Sequence, residues 1–185
     1  MSLVKLRFKS VSEIVGNDDV GLLVLVTEDE RRQLTIVCDK AMVYQFGLRT
    51  SDVPVKNKLL PEVLWQIVCR NVQAPFKVVI NDIIDGQYKT LLYNTDILQA
   101  YPVRASDGVL LAYIAKMPVY IEEQLLLRQS VPHNEHSTNV SIPVNVLSDE
   151  MLQKALDKAI GEENYEQASH LLEEQRRREG KERKS

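Results

Sequence analysis

Residues 102–121, PVRASDGVLLAYIAKMPVYI, constrain this chain more than any other stretch. An Arg-x-Ser-Asp step stands directly before a segment, residues 106 to about 116, that is apolar almost all round, and a Pro-led strand at 118–121 follows. A helix without a polar face is a buried helix, so this segment belongs to the middle of a core.

The pattern on either side supplies the rest of that core. Val4, Leu6 and Phe8 alternate with Lys5, Arg7 and Lys9, which is strand periodicity over residues 3–15. Residues 20–27 and 34–38 read as two more strands, with turns at 16–19 and 28–32. Asp39 or a neighbour opens a short helix through Leu48. Leu59, Leu60, Val63, Leu64, Ile67 and Val68 recur at helical spacing, an amphipathic helix that accommodates Pro61 in its first turn. Residues 76–84 and 87–93 flank Asp85-Gly86, a pair that supplies the positive φ of a tight hairpin turn. A strand near 97–103 precedes the apolar helix, and a short helix at 122–129 follows the Pro-led strand. The order β-β-β-α-α-β-β-β-α-β-α predicts an α+β fold, with a mixed or antiparallel sheet and packed helices. Residues 34–53 and 97–119 each run strand, polar step, helix, which suggests an internal duplication.

Three regions follow: a main domain at 1–130, a linker at 131–147, and a helical hairpin with a charged tail at 148–185. The linker is polar at first, then alternates Val140, Ile142, Val144 and Val146, the pattern of an edge strand. Ser148 is placed to cap the first hairpin helix, with Asp149 and Glu150 in its first turn. Met151, Leu152, Ala155, Leu156, Ala159 and Ile160 make one apolar stripe. Tyr165, Ala168, Leu171 and Leu172 make the second, after Gly161 and an Asn164/Gln167 capping box. Two such helices bury little by themselves, so Leu152, Leu156, Tyr165 and Leu172 are expected to need a further surface.

A chain of 185 residues with 44% hydrophobic content supports one core of ordinary size and an appendage. Charge is balanced through residue 130, and the acidic excess behind the net −3 lies beyond it. No broad basic field therefore drives non-specific binding to nucleic acid. Cys38 and Cys69 each follow Ile-Val, which suits small buried hydrophobes in a reduced protein. The alternating N-terminus is not a signal peptide, and no stretch approaches the ~20 apolar residues of a membrane span. A cytoplasmic setting is expected.

Arg104, Ser106 and Asp107 are the leading site candidates, with two readings. In one, the guanidinium and a helix N-terminus hold a phosphate while Asp107 binds a divalent cation or a water. In the other, Ser106 caps the helix and Arg104 pairs with Asp107. Asp39 and Asp52 flank the first helix, and Asp82, Asp85 and Asp96 lie on or beside the hairpin. Asp85 reads as a turn residue. His133, His136 and His170 read as solvated, since two imidazoles without a further donor fall short of a zinc set. Arg49, Lys56, Lys58 and Arg104 suggest a modest basic patch, and Trp65 sits at the edge of its helix's apolar stripe.

The Arg104-Ala105-Ser106-Asp107 step and the helix after it resemble the R-P-S-D-A-I-A-L-A signature of the bifunctional nuclease domain family, a bacterial and plant group. Ala105 stands where the family has Pro, and Gly108 where it usually has Ala. The family's Pro-Leu-Thr-His-Asp-Leu stretch corresponds to residues 53–59, which lack the His and the Asp. The resemblance implies metal-assisted action on DNA or RNA phosphodiester bonds, with Mg²⁺ or Mn²⁺ as cofactor and Arg104, Ser106 and Asp107 at the site. The segment around Ala159 and Asn164-Tyr165-Glu166-x-Ala168 resembles the UVR motif of excision-repair proteins. That implies association through residues 148–178, with the chain's own main domain, a second copy or another UVR-bearing protein. The alternative is a non-catalytic regulatory protein that oligomerises and recruits a repair or stress partner.

Overall fold

The computed structural model describes residues 2–14, 17–51, 58–71, 75–84, 86–133, 149–161 and 164–182. The chain divides into two compact units, Met1–Ser141 and Ile142–Ser185. Asp52, Lys56, Asp85, His136, the 140–146 strand and the Ser148 cap lie outside the described residues, as does the side chain of His170.

The first unit repeats one motif. Strands β1 (Leu3–Ile14), β2 (Asn17–Thr27) and β3 (Arg32–Asp39) form an antiparallel meander that runs into helix α1 (Lys40–Thr50). After α2 (Leu60–Asn71), strands β4 (Phe76–Ile84), β5 (Gln87–Asn94) and β6 (Gln99–Arg104) form a second meander, which runs into α3 (Ala105–Ala115). Strand β7 (Val119–Glu122) joins the two, antiparallel to β1 and parallel to β4, and leads into α4 (Glu123–Gln129). Gly86 has the positive φ, 75°, that the hairpin requires. The sheet order is β6-β5-β4-β7-β1-β2-β3-β8, so the fold is α+β with a mixed sheet.

Strand β8 (Val131–Pro132) pairs with Arg32 and Gln33 at the sheet's far edge. Arg32 Nε donates to Ser130 Oγ at 2.6 Å. His133 lies 3.0 Å from Gln33 Oε1 and 2.6 Å from Lys9 Nζ, so it is anchored on the sheet and not a solvated loop histidine.

One buried cluster unites α1, α3 and α4 with a single face of the sheet, through residues such as Leu25, Ile36, Phe46, Val78, Val109, Ile121 and Leu125. The all-apolar helix α3 is central to it, as its sequence demands. Phe46 stacks on Phe8 at 4.6 Å, and Tyr113 meets both rings edge-on. Gly21 is required by close approach, because a Cβ there would stand 2.0 Å from Val43 Cγ2 on α1.

Helix α2 departs from what its periodicity suggests. Its stripe faces outward, with Leu60, Val63, Leu64 and Ile67 exposed, while Glu62 is buried. Glu62 sits about 200° around the helix from Leu60 and Leu64. There it accepts both Nε (2.7 Å) and Nη2 (2.8 Å) of the buried Arg49 on α1. That ion pair sets the rotation of α2. Cys69 is exposed, correcting the expectation that both thiols are buried. Cys38 is buried, which pushes its thiol up to about 12, the neighbouring Asp39 adding a smaller push. A thiol-specific disulfide reagent should therefore modify one cysteine of the native protein promptly, and Cys69→Ser should abolish that phase. Two fast thiols would contradict the burial of Cys38.

The second unit pairs α5 (Asp149–Gly161) with α6 (Tyr165–Glu182). Leu152, Leu156, Ala159, Ala168 and Leu171 form its own buried cluster, so Leu152 and Leu156 are satisfied within it, contrary to expectation. Ile160, Tyr165 and Leu172 remain exposed. No helix among the described residues is long and apolar enough to cross a membrane.

Candidate functional site

The two strand–helix junctions meet. Asp39 ends β3 and caps α1 from an extended backbone, its Oδ1 accepting the Met42 N–H at 2.8 Å. This is the ordinary work of an N-cap aspartate. Its other oxygen, Oδ2, accepts Arg104 Nη1 at 3.2 Å. Arg104 ends β6 and occupies the cap position of α3 with no side-chain cap bond, so its guanidinium is free to turn along the first turn. There Nε donates to Asp107 Oδ2 at 2.6 Å and Nη2 to Asp107 Oδ1 at 3.2 Å.

In sheet order β6 and β3 are six steps apart, about 29 Å in a flat sheet at ~4.8 Å per step. Side chains as short as these bridge that separation only because the sheet curls around α1 and α3. The resulting cluster is exposed, with side-chain accessibilities of 65% for Arg104, 48% for Asp39 and 38% for Asp107. The hydrogen bonds and charge of Asp107, then those of Asp39, raise the Arg104 pKa further above its ordinary value, and the group is a fixed cation. Two helix N-termini converge on it, adding positive potential where an anion would sit.

Ser106 does not belong to this cluster. The helix begins at Ala105, two residues earlier than a Ser106 cap requires, and Ser106 is buried inside its first turn. The pairing of Arg104 with Asp107 stands as expected. What sequence reasoning missed is Asp39 as the third member. The available signal was the repeated strand, polar step, helix pattern, which puts Asp39 and Arg104 at equivalent junctions.

The other candidates disperse. Asp82 is exposed beside a β4 bulge, where it accepts the Ile83 N–H. Asp96 lies in the turn after β5, where its backbone N–H donates to Asn94. Arg49 is consumed by Glu62, which removes it from the basic patch, and Lys58 is exposed. Trp65 packs edge-on against Phe76 at 5.7 Å.

Neither does the donor set suit a divalent cation. Asp39 and Asp107 hold a guanidinium between them, and among the described residues no group of three or more His, Cys, Asp or Glu converges. Mg²⁺ is commonly held by one or two carboxylates together with waters and substrate phosphates, but here Arg104 occupies both carboxylates. What the arrangement can do is exchange a carboxylate for a phosphate on the Arg104 fork, whose bidentate geometry fits both.

Residues 23–134, more than half of the chain, match the bifunctional nuclease domain. The chain belongs to the bifunctional nuclease domain family. The matched region of this bifunctional nuclease domain starts within β2 and includes Asp39, Arg104 and Asp107. No curated protein matches the chain.

Proposed function

We propose that this chain acts on DNA or RNA phosphodiester bonds, with Arg104 holding the phosphate and Asp107 or Asp39 serving as general base. The observation that carries this reading is the Arg104 fork, held side-on by Asp107 and by Asp39 on an exposed surface of a nuclease-family domain. A phosphate entering the fork releases Asp107. The freed carboxylate takes a proton from water, the water oxygen attacks phosphorus, the P–O bond to the leaving oxygen breaks, and that oxygen recovers the proton. Each of these steps uses the freed carboxylate and water alone.

The test compares wild type with Asp107→Asn, purified identically, on a labelled single-stranded oligonucleotide in EDTA, Mg²⁺ and Mn²⁺. Weak cleavage by wild type, lowered at least ~10-fold in the variant, is expected. Equal residual cleavage in both would indicate a contaminant and remove Asp107 from the site.

A second reading, a non-catalytic regulatory protein, draws on the same geometry, since the carboxylates are already satisfied by Arg104. Binding without cleavage under every condition would favour it. In either case we propose that residues 148–178 are a UVR-like interaction module. The exposed Ile160, Tyr165 and Leu172 support self-association, and two free cysteines support a reducing, cytoplasmic setting.

A further inference from the structure

The sheet face turned away from α1, α3 and α4 carries a row of alternating cations and rings. Leu6, Val78, Ile80, Val119 and Ile121 point into the core, so their strand neighbours point the other way. Lys5 on β1 pairs with Tyr120 on β7, Tyr120 with Val79 on β4, and Lys77, two residues before Val79, with Tyr93 on β5. Lys5, Tyr120, Lys77 and Tyr93 therefore share one face of four consecutive strands. Lys77 Nζ lies 5.8 Å from the centre of the Tyr93 ring and 5.9 Å from that of Tyr120, bridging the two.

Beyond the Leu6–Val119 pair β7 no longer accompanies β1. An open groove of about 600 Å³ lies there, shared by Lys5 and Tyr120 with Arg7, Tyr113 and Lys116. Its acid, Glu28, is held in an exposed pair by Lys5 at 2.5 Å, and Arg7 is likewise paired with Glu30 in the turn after β2. Exposed pairs of this kind are weak and exchange readily for phosphate.

We propose that this row and the groove beside it bind single-stranded nucleic acid, bases against Tyr120 and Tyr93, backbone phosphates against Lys77, Lys5 and Lys116. The inference rests on the nucleic-acid reading of the domain but concerns different residues from the Arg104 cluster. Rings interleaved with cations suit unpaired bases, which expose their faces, and not a duplex, which hides them. The four strands of the row span about 14 Å, the width over which an aromatic-bearing four-stranded sheet stacks two or three bases.

The experiment is fluorescence anisotropy of the full chain with a labelled oligothymidylate of about 15 nucleotides, in EDTA and at low salt. Tyr93→Leu with Tyr120→Leu should weaken binding about tenfold or more. Tyr120→Phe, which keeps the ring, should bind as wild type does. Lys77→Gln should reduce the salt slope by about 0.7. If wild type binds while the folded leucine and Lys77→Gln variants bind equally well, the row is not the surface and the Arg104 reading survives. Equal affinity for the matching duplex would also overturn the row. Failure of wild type to bind at all would overturn both.

Discussion

Arg49→Met is expected to lower the unfolding free energy of the first unit by about 3–5 kcal/mol, because it leaves Glu62 buried without its partner. Arg49 and Glu62 side chains are only 3% and 11% exposed, and Arg49 Nη1 also donates to the Gln45 carbonyl and side chain. Replacing both residues by methionine should restore most of the loss, since an apolar pair of similar volume avoids the desolvation of two charges. Trp65, the chain's single tryptophan, rides on α2 and reports the event in urea titrations followed by its fluorescence. The contrast on the same helix is Leu64→Lys, on the exposed stripe, expected to stay within about 0.5 kcal/mol. A large loss from Leu64→Lys with none from Arg49→Met would mean that α2 docks by its apolar face after all.

Phe46→Ala should cost about 3–5 kcal/mol. Its ring is fully buried and meets both Phe8 and Tyr113, so it fastens α1 to β1 and α3 at once. The site feels this loss as well, because Asp39 is placed by the first turn of α1. Thermal unfolding followed by circular dichroism gives the stability term. Phe46→Leu, which keeps most of the apolar volume, should recover over half of it. A near-neutral Phe46→Ala would contradict the single core that joins the two meanders.

The order of elements was legible because it depends on local patterns: alternation in β1, the Asp-Gly turn, and a helix apolar all round. Which way α2 faces was not, because periodicity marks an apolar side without saying what it meets. The deciding contact joins Arg49 and Glu62 across thirteen residues of sequence. The site divided in the same way. Arg104 and Asp107 are three residues apart, and one helical turn brings them together. Asp39 is 65 residues from Arg104 and arrives only through the curl of the sheet. Ser106 was misplaced by two residues at the helix start, enough to turn a supposed cap into a buried side chain. His133 read as solvated because its partners, Lys9 and Gln33, lie on strands about a hundred residues or more away.

The central claim, that the cluster at the strand–helix junctions is where phosphodiester chemistry occurs, is tested most directly by Arg104→Gln in single-turnover cleavage of a labelled single strand. Its ion pairs are exposed and worth only about 0–1 kcal/mol, so the variant should unfold within a few degrees of wild type. Cleavage should nevertheless fall by about 100-fold or more, to the level of buffer alone. Undiminished cleavage by a folded Arg104→Gln protein would contradict the account.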